Sequence, residues 1–397
     1  MTGRRTLAAV MLGLVATAPA AAADPLRLRG DALASTASPV GLLTLDGDAQ
    51  ATSWLDAEAL VWLGAGAGLA DAAAGGDADG DALVIALRAR APGGRAEARL
   101  GRLVVTAGAL RPLHLDGAAG RVRLPRRIDV EAFAGVPVVP GLTDRSWDWA
   151  AGGRVGRRLG DWGGVGVAVL ERRDAGRLAV REVGVDGAGG VGAADLTGKL
   201  AFDAIGRGVA LAQASIATRR GPLRAELYGV HRGPAHLVPA TSLFSVLGDV
   251  AAQRAGARAT WRAAPRLDVV VDAGARASGG ELGEDLTARA VLRLDDRGRG
   301  ALTAELQRIG GDAAAWTGVR VAARVPIAGA WVASTELELV APDAPDGRGA
   351  LWPWALAALA WTRGAWDAAI AVEASASSEH RHRVDTLARI GRRWELP

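Results

Sequence analysis

No cysteine occurs among the 397 residues, so disulfides and thiolate metal ligands are excluded. Lysine is nearly absent: Lys199 stands alone beside the arginines in a basic total of 47, which 43 acidic residues almost balance. The acids are interleaved with the arginines, so no basic patch of the kind that holds nucleic acid emerges. Phenylalanine (3) and tyrosine (1) are scarce while tryptophan numbers 13. A soluble β core draws on all three aromatics, whereas indole rings concentrate at membrane–water interfaces. No stretch carries 18 uninterrupted apolar residues. The nearest, Leu351 to Trp361, is short and contains Pro353, which excludes helical membrane spans.

What is present begins with an address. Arg4 and Arg5 precede the apolar run Leu7 to Ala18, and Ala21-Ala22-Ala23 supplies small residues at a cleavage point. This is the pattern of a secretory signal peptide over residues 1–23, with a mature chain starting at Asp24. No cysteine follows it, so lipid acylation at the new N-terminus is excluded.

From Leu26 to Gly391 the sequence repeats one unit: apolar and polar residues alternate, then a turn intervenes. In Leu286 to Leu294, Leu286, Ala288, Ala290, Leu292 and Leu294 share one face, and Thr287, Arg289 and Arg293 share the other. Leu267, Val269 and Val271 alternate with Asp268 and Asp272; Trp331, Ala333, Leu337 and Leu339 alternate with Ser334, Glu336 and Glu338. Leu178 to Val185 changes parity midway, the mark of a β-bulge. Tight turns are expected at Ala264-Pro265-Arg266, Pro326 to Gly329 and Arg363-Gly364-Ala365. Longer connections are expected at Gly66 to Gly80, Val230 to Ala252, Ser278 to Asp285, Gly310 to Ala315 and Ala341 to Gly349. Within the longest, Ser242 to Gly248 suits a short helix. A second irregular region is expected from Leu110 to Arg127.

The fold these features predict is all-β: a single antiparallel transmembrane β-barrel over residues 24–397, in the outer membrane of a Gram-negative bacterium. Taking about 20 residues per strand with its connection gives roughly 16 to 20 strands, and about 18 is the expected number. Trp54, Trp147, Trp149, Trp162, Trp316, Trp331, Trp361, Trp366 and Trp394 sit at run ends, as girdle residues do.

Catalytic chemistry finds little support. The five histidines, His114, His231, His236, His380 and His382, lie in predicted loops or near strand ends, and no Gly-x-Ser-x-Gly elbow is present. Neither an enzyme, nor a cofactor, nor a metal is expected. The charged face of each strand is the better candidate, because charges lining a lumen set its selectivity. Parity puts Arg224, Glu226, Asp268, Asp272, Arg276, Arg289, Arg293, Glu305, Glu336 and Glu338 there. Opposite charges on neighbouring strands also pair with one another, which is an equally good reason for their presence. Arg111, Arg121, Arg123, Arg126 and Arg127 belong to the second irregular region, which is expected to fold into the pore and meet an anionic solute.

Leu100-Gly101-Arg102, then Leu115-Asp116-Gly117, then Arg121 and Arg123 resemble a region of the alginate-export-type outer-membrane porins. Leu103 stands where that family usually has glutamine. Val130 to Val138 is similar to a segment of myxobacterial outer-membrane β-barrel proteins, some of which belong to polysaccharide-export systems. The resemblance implies a conduit surrounded by outer-membrane lipid, passing an anionic polysaccharide delivered by periplasmic export proteins. The rival expectation is a plugged structural or adhesive barrel that acts through its outer loops.

Overall fold

Where side chains alternate with period two, backbone hydrogen bonds must go sideways to a neighbouring strand. A sheet in a membrane has to close so that no edge is left. The computed structural model describes residues 26–36, 40–66, 78–138, 148–233, 252–278, 280–311, 315–344, 351–377 and 382–396. The strands are Leu26–Ser35 (β1), Val40–Thr52 (β2), Leu55–Gly66 (β3), Ala78–Arg90 (β4), Ala96–Val105 (β5), Leu113–Leu124 (β6), Ile128–Pro137 (β7), Trp149–Leu159 (β8), Gly163–Asp174 (β9), Arg177–Val191 (β10) and Ala194–Asp203 (β11). They continue with Gly208–Arg220 (β12), Leu223–Arg232 (β13), Ala252–Ala264 (β14), Leu267–Ser278 (β15), Glu281–Arg293 (β16), Ala301–Ile309 (β17), Trp316–Ala328 (β18), Trp331–Pro342 (β19), Trp352–Arg363 (β20), Trp366–Ser375 (β21) and Arg383–Leu396 (β22).

Each strand pairs antiparallel with the next, and β1 pairs with β22 from Leu26↔Leu396 to Ser35↔Leu387, closing a 22-stranded barrel. The expected 18 is therefore too low. Many connections are only two residues long, among them 53–54, 175–176 and 279–280. Each strand thus uses less chain than the assumed allowance. The Ser278 to Asp285 connection is corrected likewise: Ser278 pairs with Glu281, and Glu281 already belongs to β16. The parity change near Leu178 is a true irregularity, because the register of β10 on β9 shifts between Leu178 and Val180. The Gly66 to Gly80 and Val230 to Ala252 connections fall largely outside the described residues, including the expected helix at Ser242 to Gly248.

The barrel has two distinct ends. The connections β2–β3, β10–β11, β12–β13, β14–β15, β18–β19 and β20–β21 are two-residue turns at one end, where Leu26 and Leu396 also meet. The longer connections, such as 106–112, 233–251 and 343–351, lie at the other end.

Which face points inward follows from reach. Arg254 on β14 bonds Asp285 on β16 at 2.6 Å, and Arg29 on β1 bonds Asp367 on β21 at 3.1 Å. Side chains two strands apart converge only on the concave side of a curved sheet. The polar face is therefore the inner face. The opposite face is apolar and exposed, with Leu227 at 60%, Leu337 at 58% and Val155 at 55%. A circular barrel of 22 strands, about 4.8 Å apart and tilted about 40°, is roughly 44 Å across its backbone.

Candidate functional site: the inner wall and its docked loop

Residues 106–112, between β5 and β6, leave the rim and lie on the inside of the barrel. Thr106-Ala107-Gly108-Ala109-Leu110-Arg111-Pro112 is built mostly of small residues, which lets backbone approach backbone. Leu110 N–H donates to Ala107 O at 3.1 Å, closing a tight turn around Gly108, whose φ is +58°. That φ favours glycine, and a side chain there would run into Asp186 and Arg154 of the inner wall. Ala107 and Leu110 pack into a buried cluster with Leu103, Leu113, Leu115, Phe133, Ala150, Ala168 and Leu170. Ala109 is buried against Ala201 and Ala210 of β11 and β12. The loop thus crosses from β5 to the inner faces of β8–β12.

Arg111 fastens it. Its Nε donates to Glu182 Oε1 at 2.8 Å, and its backbone N–H lies 3.4 Å from Oε2. Glu182 is fully buried and Arg111 nearly so. A buried carboxylate survives only when paired and hydrogen-bonded, and Arg111 contributes both a charge and hydrogen bonds. Below the loop, Arg154 and Asp186 form a second pair, Nη2–Oδ1 2.6 Å, on which Gly108 rests.

The irregular region expected from Leu110 to Arg127 is corrected by this arrangement. Leu113–Leu124 is strand β6, and only the loop before it is irregular. Arg111 does enter the barrel interior, but as a buried anchor. Arg121 and Arg123 are on the inner face of β6, against Asp129 at 3.4 Å and 3.6 Å. Arg126 and Arg127 form the tight turn after β6 at the short-turn end, with φ of 63° and 62°. Arg127 pairs there with the exposed Asp161 at 3.1 Å. Gly117 and Gly120 interrupt the apolar pattern of β6, which is why it reads as irregular.

The other ten candidate residues lie on the inner face, and ion pairs tie most of them together. Asp272 is the most enclosed, taking Arg258 Nη2 at 2.5 Å, Arg254 Nη2 at 3.2 Å and the Tyr228 hydroxyl at 2.5 Å. Arg293 pairs with Asp268 and Arg289 with Glu305. Arg320 Nε lies 2.5 Å from Glu336. Arg224 lies 3.8 Å from Glu226 on its own strand. Arg276 and Glu338 have no ion pair among the described residues. Sequence reasoning missed Glu182, Arg254, Arg258 and Arg320 as members of this wall; parity puts Tyr228 beside Arg224 and Glu226, but not among the candidates. The signal for most of them was parity on strands adjacent to those already read.

The Gly101-Arg102 and Asp116-Gly117 motifs acquire a structural account. Gly101, Gly117 and Gly135 are in register across β5, β6 and β7. A side chain at Gly101 would meet the Ile85 carbonyl, and one at Gly117 the Ala134 carbonyl. The row lets neighbouring backbones approach closely beneath the docked loop. At its edge the β4–β5 ladder stops at Ile85↔Arg102 although both strands run on. Side chains take over the abandoned carbonyls: His114 Nε2 donates to Leu83 O at 2.7 Å and Arg102 Nη1 to Ala82 O at 3.0 Å, while Asp116 holds Arg102 Nε at 2.7 Å.

No family model and no curated protein sequence matches the chain. Solved structures do. The P pilus usher (PapC) translocation pore aligns with a TM-score of 0.54 at 9% identity, over 95% of this chain and 100% of that one. The siderophore receptor PirA from Pseudomonas aeruginosa aligns at 0.56 and 9% identity, over 94% of this chain and 80% of that one. The usher within an E. coli P pilus tip assembly intermediate aligns at 0.56 and 9% identity, over 94% of this chain and 61% of that one. Identities this low carry the fold alone: a large closed β-barrel.

Proposed function

We propose that the protein is an outer-membrane channel whose charged inner wall, narrowed by the docked loop 106–112, passes an elongated anionic solute of the polysaccharide class. The observation that carries the reading is the division of the barrel into an apolar exposed convex face and an ion-paired concave face. A closed barrel with that division belongs in lipid, and its interior belongs in water. The candidates Arg224, Arg276, Arg289 and Arg293, with Arg254, Arg258 and Arg262, give β13–β16 an inner face in which arginines outnumber carboxylates. Such a wall favours anions. Export by a cleaved signal peptide over residues 1–23 and delivery of the polymer by periplasmic proteins complete the reading; a pilus assembly usher supports a barrel of this fold working with partners.

The test is planar-bilayer recording on the purified full chain. Stepwise conductance, with a reversal potential displaced towards anions in a salt gradient, is the expected result. Absence of conductance, including in a variant lacking 107–111, overturns the channel and leaves the plugged structural barrel. Cation selectivity overturns the anionic solute alone.

A further inference from the structure

Not every tryptophan faces lipid. Trp316 opens β18, opposite Pro342 on β19; Trp352 and Trp354 open β20, opposite Val340 and Glu338. The neighbouring residues Val319, Leu337 and Leu339 are exposed on the convex face. Trp316, Trp352 and Trp354, being of opposite parity, therefore stand on the concave face at the long-loop end. Trp316 was expected in the girdle by its position at a run end; its parity corrects that. Its ring lies over Gly318, where a side chain would come within 2.8 Å of the indole. Trp354 Nε1 donates to Glu373 Oε1 at 2.6 Å, which fixes that ring against the wall. The Trp352 Nε1–H is buried and has no acceptor among the described residues. An orphaned donor is a penalty that leucine or phenylalanine at this position would avoid.

Three half-buried indoles on a wet wall are out of place as girdle residues and too few to form a core. Directly beside them lies Glu338, a half-buried carboxylate with no hydrogen bond or ion pair among the described residues, and next to it Arg320 held by Glu336. Flat apolar rings beside a carboxylate that lies opposite Arg320 yet keeps its acceptor sites open match one ligand chemistry well. The C–H face of a pyranose packs on an indole, and its equatorial hydroxyls donate to a carboxylate. On the inner face around the indoles Glu336, Glu338, Glu373 and Asp385 outnumber Arg320 and Arg383, so the local charge is negative and disfavours acidic units.

We propose that Trp316, Trp352, Trp354 and Glu338 form a binding shelf for an uncharged pyranose unit at the long-loop mouth of the barrel. This rests on the channel reading only in requiring a water-filled interior. It adds to it a sugar site distinct from the arginine-rich wall of β13–β16.

The probe is a neutral linear glucan hexasaccharide, added to the long-loop side during single-channel recording. Polyethylene glycol of equal mass is the control. The sugar is expected to give resolved current blockades that the polymer does not. In the W352A/W354A variant their residence time is expected to fall by about tenfold or more, and in E338Q by about threefold. W352F is expected to keep most of the wild-type residence time, and heat-modifiable gel migration confirms that each variant is folded. Conductance without blockades, or blockades unchanged in W352A/W354A, overturns the shelf while the channel stands. Should the protein not conduct, calorimetric titration of the detergent-solubilised full chain with the same hexasaccharide reads binding directly. Heat there supports the shelf although the channel has failed, and its absence overturns both.

Discussion

Glu182 shows how much a single buried charge can decide. It has no contact with solvent, and Arg111 is its charge partner. Removing one member breaks buried, charge-assisted hydrogen bonds, which costs about 3 kcal/mol, whereas replacing both with apolar residues of like size costs less. E182A is therefore expected to free the inner loop, lower the urea midpoint and raise channel conductance. The E182M/R111M double variant is expected to recover most of the stability. Equal midpoints for E182A and wild type would show that the pair does not hold the loop. A second carboxylate works at the surface. Asp295, in the turn 294–300 at the short-turn end, accepts backbone N–H groups of Arg297 at 2.8 Å, Arg299 at 3.1 Å and Gly300 at 2.8 Å. These bonds, that of Arg299 foremost, hold its pKa below the ordinary 3.8. A depressed folded value means the bonds stabilise the turn fully above 3.8 and are lost as pH falls through the lower folded value. Limited proteolysis of the turn is expected to stay flat from neutral pH to about 5 and rise only below the ordinary carboxylate range. In D295N the rise is expected to disappear.

Among elements, β5 to β7 carry the most unusual local chemistry, because their glycines permit a close approach of backbones that side chains would block. Adding one methyl at Gly117 drives it into the Ala134 carbonyl and the Gly135 backbone. Gly229, on β13, has open space where its side chain would be. G117A is expected to destabilise the barrel by about 2 kcal/mol or more, and G229A to stay within about 0.5 kcal/mol, each read from a denaturant midpoint. Equal effects would remove the close-approach argument. The same contrast explains what the sequence disclosed. Strands such as β15, β16 and β19 alternate valine, leucine and alanine with charged residues, so their existence and inner face could be read directly. Strands β8 to β11 interleave glycine, which has no side chain to alternate, and the parity signal thins there. The docked loop left no sequence signal beyond its small residues. Its partner Glu182 is distant along the chain, and nothing local links the two. Likewise Trp352 and Trp354 resemble girdle residues until the register with Leu337 and Leu339 fixes their side.

For the whole barrel, the distribution of tryptophan defines an axis. At the short-turn end Trp54, Trp162, Trp261, Trp331 and Trp366 are exposed, and by parity Trp331, Trp361, Trp366 and Trp394 face outward on neighbouring strands. Trp331 and Trp361 lie with ring centroids 6.3 Å apart, and Arg392 sits over both Trp366 (4.8 Å) and Trp394 (5.3 Å). Indoles with a guanidinium between them suit the layer where acyl chains give way to headgroups. At the other end the exposed outer face shows Trp149 with Arg173 over its ring at 5.6 Å, and Arg181 paired with Glu171. Trp316, Trp352 and Trp354 there turn inward. Two tryptophan populations should consequently respond to two different quenchers. In vesicles, lipids brominated near the headgroup are expected to quench total emission more than lipids brominated near the bilayer centre, and W366F/W394F is expected to lessen that difference. Aqueous iodide or acrylamide is expected to reach the inner group, so W316F/W352F/W354F should reduce aqueous quenching while leaving quenching by brominated lipid unchanged. If the triple variant instead lost lipid quenching, those rings would face the bilayer, and the assignment of inner and outer faces on β18 to β20 would be reversed.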